Sequence, residues 1–373
     1  MKKQNIPNIV LLVCFASIIA FFSISYIFTP EKSFSENENR VLQTLPTLTV
    51  EKLLDGTYTR QLHNYFSDQI AFRKEMIEAK AKTELLMGKN ENNGILLGKD
   101  GYLIEVHSYT EDNYTFLKNN LSKIDKLAHN LNENGIKVNS ALIPRKVDIL
   151  SDKFSPYYSN ERCDTVWKIA SNHLSLSNAL EEKAKAGDQV FYKTDHHLTA
   201  EGIYCVYREL GDVLGYVPYG LDYFSLEVLS SEFCGTTYSK SGFFFTEAEE
   251  IKAPSIESGR YSATIVDTET KFDTLYDLSY LNKKDKYSVF LSGNNAHVKI
   301  YDTQDTSKPT LLIIKDSFSH ALAPYLCEHY NIELIDPRYY NGSIEDYIIE
   351  NDIKNVLFLF GIDTLASANL IIR

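Results

Sequence analysis

Residues 9–28, IVLLVCFASIIAFFSISYIF, form a run of twenty positions without a charge. A helix of that length crosses the hydrocarbon core of a bilayer. After it, apolar residues fall into patterns. Ile70, Phe72, Met76, Ile77, Ala81, Leu85 and Leu86 recur at helical spacing with one buried face. Ser67 or Asp68 suits the start of that helix and Gly88 its end. GILLGKDGYLIE (residues 94–105) sets two short apolar runs around Lys99, Asp100 and Gly101, a hairpin signal. Tyr114, Leu117, Leu121, Ile124, Leu127 and Leu131 mark a second helix face, stopped by Gly135, and IKVNSALI (136–143) reads as a strand.

The helix–strand alternation continues. A helix is expected over about residues 163–185, a polar turn at 195–197, and a helix over 199–210. Residues 216–300 have another texture, rich in Tyr, Phe, Ser, Thr and Gly, with β-like pieces YSATIVD and KYSVFLSG; they read as an inserted β-rich segment. Then TLLIIK reads as a strand, Asp316-Ser317-Phe318 as a turn, Ser319 onward as a helix, and IELID and NVLFLF as buried strands. Such alternation predicts an α/β fold with a parallel sheet flanked by helices.

Charge changes the picture of partners. The 373 residues carry a formal charge of -12, so no nucleic-acid partner is expected, because phosphate binding needs a basic surface. Lys2 and Lys3 precede the apolar run and Glu31 follows it, which orients the remainder outside the cytoplasm. A cleaved signal peptide is the competing reading. The five cysteines make no C-x-x-C pair; Cys14 lies in the apolar run, and Cys163, Cys205, Cys234 and Cys327 are too widely spaced for a disulfide framework, so buried thiols are expected of these four.

Candidate chemistry sits in two turns. Ser317 follows a strand and opens a helix, where free backbone N–H groups and the helix dipole can stabilise an oxyanion. Its alternative role is to cap that helix with Asp316. In TDHHLTAEG, Asp195 and His197 stand two positions apart ahead of a helix, and a carboxylate beside an imidazole fixes its tautomer during proton transfer. His196 is a second imidazole that either joins the site or bonds a neighbouring backbone group. Arg338, after strand IELID, offers a guanidinium to an oxyanion or a carboxylated sugar, or else forms an ion pair with Asp336. Asn294 and Asn295 could donate amide protons, or simply make a turn. Neither a metal ion nor a cofactor is expected.

Taken in order, SENENRVLQTLP, DGTYTRQLHNYFSDQIAFR, GILLGKDGYLI, TDHHLTAEG, IKDSFSHALAPYL and IDPRYY resemble the motifs of the DHHW family, relatives of the alginate O-acetyltransferases within the SGNH hydrolase superfamily. The resemblance implies a flavodoxin-like SGNH core and a Ser317–His197–Asp195 triad. Two positions depart from the pattern: Leu198 stands where the signature has Trp, and Lys315 where SGNH enzymes have Gly before Asp-Ser. The implied organisation is a cytoplasmic 1–8, a transmembrane anchor 9–28, a juxtamembrane linker with amphipathic helix 29–90, and an SGNH-like catalytic domain 91–373 with its β-rich insertion at about 216–300. The implied activity is O-acetyl transfer to a cell-surface or exported polysaccharide, with acetyl groups fed across the membrane by a polytopic acyltransferase. An acetyl esterase with the same triad is one alternative. A non-catalytic carbohydrate-binding protein, its 25 tyrosines serving sugar stacking, is another. A DHH-type phosphoesterase is disfavoured, because no acidic metal-binding motif precedes Asp195.

Overall fold

The uncharged N-terminal run forms a single helix, α1 (Asn5–Phe28), in the computed structural model, which describes residues 5–106, 109–154 and 161–372. Ile6–Phe28 is long and apolar enough to cross a membrane, with mean hydropathy 2.5 in its most apolar stretch and none of that stretch buried in the protein. A signal sequence has the same character. Lys2 and Lys3 lie outside the described residues.

The chain divides into two compact units, Met1–Asn92 with Gly242–Phe245, and Asn93–Ser241 with Thr246–Arg373. In the first, α2 (Thr57–Gln69) and α3 (Arg73–Leu86) follow α1. The predicted helix from Ile70 begins three residues later, because Phe72 takes a left-handed conformation (φ 61°) and breaks the helical path. Three polar side chains tie this unit together. Asp68 pairs with Arg40 at 2.5 Å, Arg73 with Glu38 at 2.6 Å, and the Gln69 amide bonds the main chain of Lys32 and Gln43.

The second unit is built on an eight-stranded sheet. A long helix, α4 (Glu111–Glu133), leads into β1 (Lys137–Ile143); β2 (Leu174–Ser175) and α5 (Ala200–Leu214) follow. Then come β3 (Tyr261–Ile265), β4 (Thr270–Phe272), β5 (His297–Asp302) and β6 (Thr310–Lys315). The chain closes with α6 (Phe318–Leu326), β7 (Asn331–Ile335), β8 (Asn355–Gly361) and α7 (Ile362–Ser367). The sheet order is β4-β3-β5-β7-β6-β8-β1-β2. From β7 to β2 all neighbours are parallel; β5, β3 and β4 extend the β7 edge antiparallel. The mixed α/β architecture with a mostly parallel sheet thus agrees with the alternation read from the sequence.

Strands buried on both faces read as continuous apolar runs. In β6, Leu311 and Ile313 join one core cluster with α5 and α6 residues such as Ile203 and Leu322. Leu312 and Ile314 join the other, with Leu117, Leu121 and Ile124 from α4 and Leu365 from α7. The helix after β6 therefore covers one face, and Ile344–Glu350, between β7 and β8, covers the opposite face through Ile344 and Ile348. Because β7 and β8 flank β6 on opposite sides, the crevice at the carboxyl end of β6 is where such sheets bind ligands.

Three expectations differ in detail. The helix over 163–185 is two helices, Glu161–Ile169 and Asn178–Lys185, separated by β2, whose Leu174 pairs with Ala141. Residues 216–300 do hold a separate two-stranded piece, Leu226–Phe233 against Glu249–Pro254, but also supply β3, β4 and β5 to the main sheet. KYSVFLSG forms no strand. It makes a 3-10 turn at Lys286–Val289, and Leu291 and Ser292 take positive φ, which stops extended pairing. Cys205 and Cys327 are buried thiols, as expected, whereas Cys234 is only half-buried; the side chain of Cys163 lies outside the described residues.

Candidate active site

Ser317 stands at the carboxyl end of β6, ahead of α6. Its side chain makes no capping bond to the helix. Asp316 takes the Phe318 N–H instead (3.1 Å), and also accepts the Gly361 N–H (2.7 Å) and the Thr364 hydroxyl (2.6 Å). This clamp ties the ends of β6 and β8 together. Gly361 must lack a side chain, since a Cβ there would meet the Phe318 ring at 2.6 Å. Burial raises the Asp316 carboxyl above its usual range, against the pull of these donors.

The turn holding Asp195 and His197 is pinned by a short β-bridge. Phe191 pairs with Leu198, Tyr192 N–H bonds the His197 carbonyl and Thr199 N–H the Val190 carbonyl. Thr199 caps α5 through Gly202 N–H. Glu249 holds the turn from outside, accepting the N–H groups of Lys193 and Thr194 (2.7 Å each) and the Thr194 hydroxyl (2.5 Å).

These two elements meet. His197 Nδ1 lies 2.5 Å from Asp195 Oδ1 and Nε2 lies 2.8 Å from Ser317 Oγ, across 120 positions of chain. Asp195 Oδ2 accepts the Thr236 N–H (2.6 Å) and hydroxyl (2.9 Å). Burial alone would raise the Asp195 carboxyl, but the two neighbouring histidines and these donors outweigh it and hold it well below the usual carboxylate range. An ionised Asp195 keeps the His197 proton on Nδ1 and leaves Nε2 to accept from Ser317. The His197 ring lies flat against Tyr287 (centroids 3.7 Å, 12°), with the Phe318 edge at 5.2 Å. Leu198, at the signature's Trp position, is buried, and the aromatic packed flat on the imidazole is Tyr287.

A cavity of about 390 Å³ opens over Ser317 at the ends of β1, β6, β7 and β8. Arg145, Lys146, His196, Thr236, Arg338 and Asp363 are among its walls. Arg338 forms the ion pair with Asp336 that the sequence offered as one of its two readings. Its Nε and Nη2 grip Asp336 at 2.9 and 2.6 Å, and the same side chain lines the cavity. His196 keeps 43 % of its side chain exposed, and its Nδ1 lies 3.0 Å from the Thr236 hydroxyl. Desolvation, then repulsion from His197 when that ring is protonated, holds its imidazole below the usual histidine value. Lys146 sends its ammonium to the carbonyls of Leu103 (2.8 Å) and Lys193 (3.4 Å), and burial pushes its pKa down to about 8.

Asn294 and Asn295 are not brought to the cavity. The Asn295 amide donates to the Leu291 and Gly293 carbonyls, which makes it part of an ordinary turn. Lys315, where SGNH enzymes have Gly, points into the core, 2.6 Å from His320 Nε2 and 3.2 Å from Asp336. Sequence reasoning missed Thr236, Glu249, Tyr287, Arg145 and Lys146. No spacing in the chain links them to Asp195 or Ser317.

Ligand atoms of Asp195, His196 and His197 lie within 4.8 Å of one another, the grouping a metal would need. Most of these donors are already committed. His197 has a partner on each nitrogen, and both Asp195 oxygens accept two bonds each. An ion would have to displace that chain of hydrogen bonds.

The model of the family described as DHHW protein matches residues 96–335. A DHHW family protein from Eubacterium siraeum superposes with TM-score 0.59 at 20 % identity, over 75 % of this chain and 94 % of that one. Bacillus cereus PatB1, solved with a sulfonyl adduct, gives TM-score 0.60 at 17 % identity, over 75 % of this chain and 99 % of that one. At such identities the likeness is one of fold. Among curated proteins, the probable alginate O-acetylase AlgJ of Pseudomonas fluorescens is 21 % identical over 174 residues, covering 43 % of this chain and 44 % of that protein. The match thus spans under half of that relative's length.

Proposed function

The chain belongs to the DHHW family, and from that premise we propose that it is a membrane-anchored, extracytoplasmic O-acetyltransferase of SGNH type acting on a polysaccharide through Ser317, His197 and Asp195. The observation that carries this reading is the unbroken run Asp195–His197–Ser317, with spacings of 2.5 and 2.8 Å, whose Ser317 end lines a cavity on the carboxyl edge of the sheet. The likeness to AlgJ, a probable alginate O-acetylase, supports acetyl transfer to a polysaccharide.

The reaction follows from the arrangement. Ser317 Oγ attacks the acyl carbonyl carbon while His197 Nε2 takes its proton, and Asp195 stabilises the resulting imidazolium. Collapse of the tetrahedral intermediate breaks the donor's ester bond, and His197 returns the proton to the leaving oxygen. A sugar hydroxyl, deprotonated by the same imidazole, then attacks the acetyl-serine, which releases the sugar ester and restores Ser317. Arg338 spends Nε and Nη2 on Asp336, and its Nη1, with no partner among the described residues, is our candidate donor to the oxyanion or to an acidic sugar. Ile6–Phe28 serves as the anchor, with residues 1–8 in the cytoplasm and the catalytic unit outside. A polytopic membrane acyltransferase is the proposed source of acetyl groups.

The test gives purified full-length protein an activated acetyl ester with and without oligosaccharide. Acetylated oligosaccharide, lost in Ser317→Ala and His197→Ala, is the expected product. Free acetate alone, with the same dependence on both residues, would make the protein an esterase; turnover that survives Ser317→Ala would refute the triad.

A further inference from the structure

The juxtamembrane unit exposes aromatic side chains beside its own apolar helix. Phe72, in the link between α2 and α3, is 54 % exposed and Phe66 51 %. The Phe72 ring stacks on Phe21 of α1 (centroids 5.9 Å, 14°), and Tyr65 and Phe66 meet Tyr26 at 5.9 and 5.4 Å. Phe72 also holds φ at 61°, a region that bulky side chains rarely adopt. A strained, solvent-exposed phenylalanine calls for a partner that uses it.

Depth follows from helix geometry. Phe21 lies seven residues before Phe28, about 10 Å along the axis at about 1.5 Å per residue. Ile6–Phe28 has 23 residues, and about 20 suffice to cross the hydrocarbon. Even with the whole surplus of about 4–5 Å at the outer end, Phe21 sits about 5 Å below the hydrocarbon boundary. Its stacking partner Phe72 shares that depth, while Tyr26 and Tyr65 fall near the interface where tyrosines concentrate.

We infer that the α2–α3 link is itself inserted in the outer leaflet, with Phe72 among the acyl chains and Phe66 at their upper edge, so that the chain holds the membrane by a helix and a loop. The inference rests on the proposed reading of α1 as a retained anchor. Lipid is the occupant because α1 buries none of its apolar stretch in protein, so the rings packed on it continue a lipid-facing surface. Three of the polar groups beside Phe72 fit that setting, while Glu75 is exposed and fits it only at the headgroup level. Asp68, Gln69 and Arg73 all find partners within the unit, as low-dielectric surroundings require. Lys74, exposed next to them, suits lipid phosphates.

Trp167 is the one native tryptophan, so a Trp167→Phe background permits single-tryptophan probes. Full-length Phe21→Trp, Phe66→Trp and Phe72→Trp proteins are reconstituted into phosphatidylcholine–phosphatidylglycerol vesicles with and without acyl-chain-brominated lipid. We expect blue-shifted emission and strong bromine quenching at positions 21 and 72, with partial quenching at 66. Quenching at 21 but at neither 72 nor 66 overturns the insertion and leaves the anchor standing, with that face turned to solvent or to a protein. Absence of quenching at 21 removes the anchor reading, and the insertion with it. Position 66 decides the matter if Phe72→Trp does not fold.

Discussion

Tyr287 lies flat on the imidazole of His197, ring centroids 3.7 Å apart and planes 12° from parallel. An aromatic from elsewhere in the chain backs the histidine, so its orientation does not depend on the residue next to it. The Tyr287 hydroxyl is buried and makes no hydrogen bond among the described residues, so the ring is the working part. Tyr287→Phe should keep full activity and leave the melting temperature unchanged or higher, since it removes an unpaired buried polar group. Tyr287→Ala should cost about 3–5 kcal/mol of stability and lower kcat. Thermal melts and initial rates check both; a loss of activity in Tyr287→Phe would contradict the account.

Gly235 lets the backbone close over Asp195. A Cβ there would collide with the Asp195 side chain, and the next residue's N–H and hydroxyl are the donors to Oδ2. Gly235→Ala should therefore displace Asp195 from His197. We expect kcat to fall by roughly 10²–10⁴, approaching the loss seen when an orienting carboxylate is disabled, with KM little changed and circular dichroism native. A wild-type kcat would show that Asp195 does not orient the base.

The two adjacent histidines should separate sharply. His197 bridges Asp195 and Ser317, whereas His196 bonds Thr236 from the cavity rim. His197→Ala should reduce kcat by about 10⁴ or more, and Ser317→Ala by a similar factor, with no further loss in the double variant because the groups act as a unit. His196→Ala should cost less than about tenfold. The reverse order in steady-state rates would assign the base to His196.

Lys146 should leave a mark on stability against pH. Burial lowers its folded pKa to about 8, below the unfolded value of about 10.4. Between those values the unfolded chain binds a proton that the folded one does not, so stability contributed by this group rises with pH over about 8–10. Its contribution is complete above that window and is lost as pH falls through about 8. Replacing it with Met should flatten that rise and stabilise the protein at neutral pH, by up to about 3 kcal/mol. Denaturant unfolding at pH 7 and pH 10 checks the difference; parallel curves for both proteins would show that Lys146 does not titrate in this window.

How much of this was readable in advance depended on whether the signal was local. TLLIIK announces a strand buried on both faces, and a polar turn after such a strand lies at the ligand edge whatever the rest of the fold, so Ser317 stood out. The Asp195–His197 pair carried its own spacing. Thr236, Glu249 and Tyr287 come from the aromatic, aperiodic stretch between 216 and 300, and they reach the site only through tertiary packing. The same stretch misled the reading of KYSVFLSG: Tyr287, Val289 and Phe290 are apolar because they are buried, not because they pair as a strand. Asn294 and Asn295 matched the chemistry of a donor but sit in a turn that consumes Asn295's amide. Arg338 stands three residues past β7, so its place at the same sheet edge as Ser317 was local information too.

Acylation of Ser317 is the central claim, and peptide mass spectrometry tests it most directly. Wild-type protein exposed briefly to an activated acetyl ester and quenched in acid should carry acetyl on the peptide containing Ser317, and addition of an oligosaccharide acceptor before the quench should discharge it. Sustained turnover of the ester with no acetyl on Ser317, or with acetyl on another residue that discharges to the acceptor, would contradict the account.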